Sequence, residues 1–243
     1  MEKIKIWAHR GASGHLPENT VEAFDLAKKM NADGIELDVQ LSSDGHLMVF
    51  HDETLDRVTG EKGFLMEHTK DELKKMRVIV GEGADEIFRI PELAEVLDLY
   101  KGTDKKINIE MKNSVILYPQ MEEKVIALVK EFGMEEQIIY STFNHYSVRK
   151  MRTLLPDGEI GLLMGDGIVN AGAYAKALGA DALHPAVYHL TYPDFAKEAK
   201  EQGLKLHVWT ANTPEHIAMV RDAGADAVIT NYPDRAREVL GIE

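Results

Sequence analysis

The sequence predicts a closed (β/α)8 barrel, a TIM barrel, with a small insertion after the second strand. Three observations predict it. Eight short strand patterns, beginning near Lys3, Gly34, Lys106, Gln137, Glu159, Asp181, Lys205 and Asp226, alternate with helical periodicities. Pro91, Pro193, Pro214 and Pro233 sit at or near helix starts, where a missing N–H costs little, and Gly179, Gly203 and Gly224 follow helical runs as C-terminal caps do. Finally, Ala-Leu-Gly-Ala-Asp-Ala-Leu at 177–183 and Asp-Ala-Gly-Ala-Asp-Ala-Val at 222–228 repeat one helix–turn–strand junction. A repeated αβ unit implies parallel strands. Eight such units in 243 residues, close to the ~250 of a complete barrel, favour closure over an open sheet.

The predicted helices lie near 20–31, 91–100, 119–132, 144–154, 170–179, 192–202, 214–222 and 233–240. The first opens on Asn19-Thr20-Val21-Glu22, read as an N-cap at Asn19 with Glu22 three residues on. The rhythm breaks once. Residues of about 45–90 exceed what a βα connection needs, and contain a hairpin extension (Gly45–Phe50) and a charged helical piece (Thr69–Arg77). With no low-complexity tract or linker, residues 1–243 read as a single domain carrying that insertion.

Composition narrows the function. A formal charge of −13 argues against a nucleic-acid partner, because phosphate backbones are held mainly by Lys and Arg. An acidic protein that binds phosphate needs a local cation from Arg, Lys or a metal. The absence of cysteine fits a reducing compartment. Met1 to Trp7 alternates like a strand rather than forming a continuous apolar leader, and no stretch reaches the ~18 apolar residues of a membrane span. A cytoplasmic protein with no membrane span is expected.

Side chains alternate along a barrel strand between the helices and the interior. In the second strand Ile35, Leu37 and Val39 share a face, leaving Glu36 and Asp38 on the other. The third strand sets Ile107, Ile109 and Met111 against Asn108, Glu110 and Lys112; the seventh sets Leu204, Leu206 and Val208 against Lys205, His207 and Trp209. In the first, Ile4, Ile6 and Ala8 leave Lys5, Trp7 and His9. Ionisable residues therefore face inward, near the strand ends where barrel enzymes keep their chemistry. Buried carboxylates need pairing, water or metal. Glu36, Asp38 and Glu110 read either as a salt-bridge network with Lys112 and Arg10 or, preferably, as all-oxygen ligands of a divalent metal ion. Such ligands suit Mg2+ or Ca2+ and admit Mn2+, ahead of zinc.

The motifs His9-Arg10-Gly11, Pro17-Glu18-Asn19-Thr20, Glu36-Leu37-Asp38, His51-Asp52, Ile90-Pro91-Glu92-Leu93, Glu110-Met111-Lys112, Trp209-Thr210-Ala211-Asn212 and Thr230-Asn231-Tyr232-Pro233 occur in one order along essentially the whole chain. That ordered set resembles the glycerophosphodiester phosphodiesterase family. The resemblance implies a (β/α)8 fold and hydrolysis of a small-molecule glycerophosphodiester to glycerol 3-phosphate and an alcohol. It implies His9 and His51 as the acid–base pair, and Glu36, Asp38 and Glu110 as metal ligands. Arg10 and Lys112 are then phosphate contacts, and Trp209 is an aromatic of the glycerol pocket. Many relatives carry Thr-Asp where this chain has Thr230-Asn231, which leaves the role of Asn231 open.

The chemistry suits those residue types. A cation offsets the charge of a phosphodiester, an arginine fork and a lysine bind phosphate, and histidines exchange protons near neutral pH. Glu18 is expected to orient an arginine or histidine. His207 is expected to hydrogen-bond in the core and His184 is a candidate for the pocket wall, while His15, His46, His68, His145, His189 and His216 are given no role. Rival readings are a lysophospholipid-cleaving enzyme on the same site, a non-catalytic binding module, and a sugar-phosphate aldolase using Lys112 as Schiff-base amine. Nearby carboxylates oppose the last by stabilising the ammonium.

Overall fold

The computed structural model describes residues 3–80 and 87–242, so part of the 45–90 insertion, residues 81–86, lies outside the described residues. Eight strands form the barrel: β1 (Lys5–His9), β2 (Gly34–Leu41), β3 (Lys106–Met111), β4 (Ile138–Thr142), β5 (Glu159–Met164), β6 (Ala182–Pro185), β7 (Lys205–Val208) and β8 (Ala227–Thr230). Each pairs in parallel with the next, and β8 pairs with β1 to close the ring. The helices are α1 (Val21–Lys29), α2 (Leu93–Tyr100), α3 (Met121–Phe132), α4 (His145–Leu154), α5 (Ala171–Leu178), α6 (Phe195–Glu201), α7 (Pro214–Asp222) and α8 (Pro233–Leu240). Pro214 and Pro233 occupy the first turns of α7 and α8, and Gly179 caps α5 in the left-handed conformation. Helix α6 starts later than its periodicity suggests. Asp194 takes a left-handed φ of 61° beside Pro193, and a 3₁₀ turn (Val187–Thr191) fills the connection instead.

The main apolar cluster lies between strands and helices, where Ile35, Leu37 and Val39 of β2 and Ile107 and Ile109 of β3 are fully buried. Each such side chain contributes about 1.5–3 kcal/mol on burial. A one-residue slip of β2 would turn this row inward and its acids toward the helices, so burial fixes the register. Inside the barrel, a small cluster of Trp7, Ile139, Ala227 and Ile229 leaves room for polar groups. His207 shares a 2.8 Å hydrogen bond with His184 there, as the core reading of His207 requires. Gly161 on β5 makes the space: a Cβ would meet the His184 ring at 2.2 Å.

The insertion has its own apolar cluster, including Phe50, Leu55, Leu65 and Phe88. The hairpin forms as expected, with Leu47–Val49 antiparallel to the end of β2. The helical piece expected over Thr69–Arg77 is only one turn, Lys70–Leu73; Arg77 instead opens a short strand, Arg77–Val78, paired with Phe88–Arg89. Thr69 caps that turn, and the chain leaves the helix after it to bury Val78 in the insertion's cluster.

Candidate active site

Strand register brings the acids together. His9 of β1 lies beside Glu36 of β2, Glu36 beside Asn108 of β3, and Asp38 beside Glu110. Like charges on directly neighbouring positions cost stability. This arrangement is therefore not explained by folding. One oxygen from each of Glu36, Asp38 and Glu110 lies within 4.8 Å of the others, and their residues are 4 %, 0 % and 8 % exposed.

The salt-bridge reading is realised in part. Arg10 Nε lies 3.3 Å from Asp38 and Lys112 Nζ 2.9 Å from Glu110, with Asp38 3.9 Å away. Asn19 Nδ2 also donates to Asp38 at 2.8 Å. Despite burial, Arg10, His51 and Lys112 hold Asp38 well below the usual carboxylate range. Burial and the charges of Asp38 and Glu110 push Glu36 well above it, and burial raises Glu110 despite Lys112. Glu36 accepts the Arg10 backbone N–H at 3.0 Å and feels the Arg10 charge, but among the described residues His9, 3.9 Å away, is its one basic side chain within ion-pair distance. The two cations thus leave the trio under-compensated. The residual anionic charge and the all-oxygen donor set fit a divalent cation.

The turn after β1 shows why His-Arg-Gly runs consecutively. Arg10 has φ 55° and Gly11 φ 80°, and a Cβ on Gly11 would stand 2.7 Å from the Ala23 carbonyl carbon. The tight turn aims Arg10 back over the strand ends, where its Nη1 donates to Glu18 at 2.9 Å. The start of α1 departs from expectation. Thr20, not Asn19, is the N-cap, accepting from the Ala23 N–H at 3.2 Å. Asn19 at φ 57° stands one residue outside the helix, which frees its amide for Asp38.

The two histidines have different partners. His9 Nδ1–H donates to Asn231 Oδ1 at 2.7 Å, and His51 Nδ1–H to Asp52 at 2.6 Å. Burial and the adjacent Arg10 charge lower His9 to about 4. Against burial, hydrogen bonds from Arg57 and His51 hold Asp52 down to about 2. Arg57 grips Asp52 at 2.7 and 2.9 Å and Glu18 at 2.7 and 2.9 Å, so a continuous chain runs His51–Asp52–Arg57–Glu18–Arg10. Beneath it, buried Gln40 donates to the carbonyls of Phe50, His51 and Asp52, and takes the Tyr118 hydroxyl on its own oxygen at 2.9 Å.

A cavity of about 130 Å³ joins His9, Arg10, Glu36, His51 and Glu110 to Phe143, Leu163 and Trp209. Asp38 and Lys112 do not line it. Trp209 donates Nε1–H to the His184 carbonyl at 2.7 Å and meets Phe143 edge-on, with centroids 5.6 Å apart. The side chain of His184 is not in this wall; its ring faces His207. A larger cavity of about 810 Å³ opens at the other end of the barrel, around Lys3, Asp33 and Asp226, and contains none of the predicted site residues. Chemistry, not volume, marks the site.

Comparison with known proteins agrees with this geometry. Residues 9–235 match the model of the glycerophosphoryl diester phosphodiesterase family. The chain belongs to that family. It is 43 % identical over 235 residues to a glycerophosphodiester phosphodiesterase of Caldanaerobacter subterraneus subsp. tengcongensis, covering 96 % of each chain. Among solved members, a glycerophosphodiester phosphodiesterase of Agrobacterium tumefaciens superposes with a TM-score of 0.82 at 27 % identity, covering 97 % of this chain and 99 % of that one. A phosphodiesterase of Oleispira antarctica, solved with the product sn-glycerol-3-phosphate, gives 0.84 at 25 % identity, covering 98 % of this chain and 96 % of that one. Among the described residues of this family member, no helix is long and apolar enough to cross a membrane.

Sequence reading had not found Arg57, Gln40 or the cavity-lining Phe143 and Leu163. Arg57 lies in the insertion, which has no period to read. Phe143 and Leu163 continue the inward alternation of β4 and β5, a signal available in the sequence.

Proposed function

We propose that the chain hydrolyses glycerophosphodiesters to glycerol 3-phosphate and an alcohol with a divalent cation, Mg2+ or Ca2+ with Mn2+ an alternative, held by Glu36, Asp38 and Glu110. The observation that carries the reading is the buried carboxylate trio in register beside His9, with His51 on the same cavity. Family membership and the product bound by the Oleispira antarctica relative support it. When bound, the cation offsets phosphate charge and polarises phosphorus. A cysteine-free chain supports the cytoplasm as its compartment.

The residues divide the remaining work. Arg10, on the cavity wall and held by Glu18 and Asp38, supplies positive charge for the phosphate, and Lys112 adds to it from beside Glu110. Trp209 and Phe143 form an apolar wall for the glycerol carbons. His9 is neutral at physiological pH, and its Nδ1–H is committed to Asn231, so Nε2 is free to take a proton. That makes His9 the base. His51 faces a carboxylate that complements an imidazolium, and is the proton donor to the departing alcohol.

The nucleophile is the substrate's own hydroxyl on the carbon next to the esterified one, which reaches phosphorus through a five-membered ring. His9 removes its proton as the P–O bond to the alcohol breaks and His51 protonates that alcohol. Water then opens the cyclic phosphate with the histidines' roles exchanged. Phosphorus NMR of glycerophosphocholine incubated with the protein and each divalent cation tests the activity, glycerol 3-phosphate being the expected end product. A 2-deoxy glycerol analogue tests the route: turnover at the normal rate would leave water as the direct nucleophile.

A further inference from the structure

Three inward-facing lysines take no part in the catalytic cavity. Lys5, Lys106 and Lys205 each open a barrel strand, β1, β3 and β7, and alternate onto the face that continues as Trp7, Asn108 and His207. Barrel interiors are ordinarily filled by layers of branched apolar side chains. Here the strand neighbours in register with the three lysines are Gly34, Ala182 and Ala227, which are too small to fill this end. The space they leave belongs to the cavity of about 810 Å³ at the end of the barrel opposite the carboxylate trio. Its volume is in the range of small-molecule sites.

Its charge runs against that of the chain. Seven Lys and Arg side chains line it against four carboxylates, in a protein of formal charge −13. Three of those carboxylates are already engaged. Asp33 accepts the Ile6 N–H at 2.9 Å, Asp226 accepts the Leu206 N–H at 2.8 Å, and Glu159 pairs with Lys205 at 2.7 Å. Lys106 and Lys200 donate instead to the carbonyls of Glu136 and Ala223. With Lys3, which also lines the cavity, they have no carboxylate within ion-pair distance among the described residues.

Deeper in, the wall is polar. Trp7 lines the cavity at 3 % exposure, and its buried indole N–H meets no acceptor. Orphaned buried donors are rare and call for a partner. His207 packs against that indole, with centroids 4.5 Å apart. Its Nδ1 is taken by His184, so Nε2 is the ring nitrogen left for the cavity that His207 lines. Burial holds His207 well below its ordinary value, so the ring is neutral and adds no charge.

From this surplus of cations around an unpartnered N–H, we infer that the cavity binds a compact, multiply charged phosphate compound at a site separate from the catalytic one. Phosphate oxygens suit both components, accepting from ammonium groups as point charges and from the indole as a neutral donor. A neutral or cationic ligand would leave the surplus charge in place. The inference does not depend on the phosphodiesterase reading, which concerns the opposite end of the barrel.

The chain's two tryptophans report the two cavities separately, Trp7 this one and Trp209 the catalytic one. In 15N-labelled, chelator-stripped protein their indole N–H resonances, assigned with Trp209→Phe, are followed as sodium tripolyphosphate is added in about 0.15 M salt. The Trp7 resonance is expected to shift saturably. The double variant K5Q/K205Q is expected to weaken that binding by about tenfold or more, because two charges are lost, while turnover of glycerophosphocholine is kept. Lys205→Arg, which keeps the charge, is expected to keep the affinity. A shift at Trp209 alone places the anion in the catalytic cavity and overturns the inference. A Trp7 shift that K5Q/K205Q leaves at full affinity overturns it too, since the lysines then hold nothing. So does a drift at Trp7 that sodium chloride of equal ionic strength reproduces, which is screening and not binding.

Discussion

Replacing Asn231 with Asp puts a carboxylate where His9 now meets an amide oxygen at 2.7 Å. An opposite charge about 4 Å from the imidazolium is worth roughly 4 kcal/mol at an effective dielectric of about 20, or about 3 pKa units. Water at the cavity mouth and the neighbouring Arg10 offset about a third to a half of that. His9 should therefore move from about 4 to roughly 6. If His9 must be unprotonated to accept a proton, the acid limb of kcat/KM moves up by about two pH units. The stability consequence has the same origin. The folded value is depressed below the ordinary 6.5, so the unfolded chain binds the extra proton between pH 6.5 and 4. Stability is fully present above 6.5 and falls by about 3 kcal/mol as pH drops to 4. In Asn231→Asp this fall shrinks to about 1 kcal/mol. Paired pH–rate profiles at one saturating cation, with NMR titration of the His9 ring, measure both. An acid limb that stays in place while the ring titrates higher would refute His9 as the base. An unmoved ring would refute the electrostatic argument.

Three further outcomes follow from the same contacts. His9→Ala and His51→Ala should each lower kcat by roughly 10²–10⁴-fold with smaller changes in KM, the scale of a positioned acid or base; near-normal kcat in stopped assays would remove that residue from proton transfer. Arg57→Ala should cut kcat about tenfold with the fold intact, and Arg57→Lys should restore only part, because a lysine cannot span Asp52 and Glu18 with a fork. Gln40→Leu leaves the carbonyls of Phe50, His51 and Asp52 without their shared donor, so thermal unfolding should show a loss of about 3 kcal/mol and activity should fall with it.

The barrel was legible because its signals are periodic. β2 and β3 alternate cleanly, so Ile35, Leu37, Ile107 and Ile109 mark the helix-facing side and Glu36, Asp38 and Glu110 the interior. Neighbouring parallel strands then bring the acids together without side-chain detail. The helix starts at Pro214 and Pro233 and the caps at Gly179, Gly203 and Gly224 follow from backbone rules that need no tertiary context. What was lost sits where tertiary contacts override local preference. Asn19 is a fine N-cap in isolation, yet the buried Asp38 takes its amide and Thr20 takes the cap. The charged run at Thr69–Arg77 has helical composition, but burying Val78 ends the helix after one turn. Arg57, in a connection without periodicity, gains meaning only once Asp52 and Glu18, 34 residues apart in sequence, face it together.

The measurement that bears most directly on the account is turnover of glycerophosphocholine by the chelator-stripped protein before and after adding Mg2+, Ca2+ or Mn2+, beside Glu36→Ala, Asp38→Ala and Glu110→Ala. The account predicts no turnover in the stripped protein, recovery with at least one ion, and no recovery in the three variants, with far-ultraviolet circular dichroism unchanged. Full activity in verified metal-free protein would contradict it.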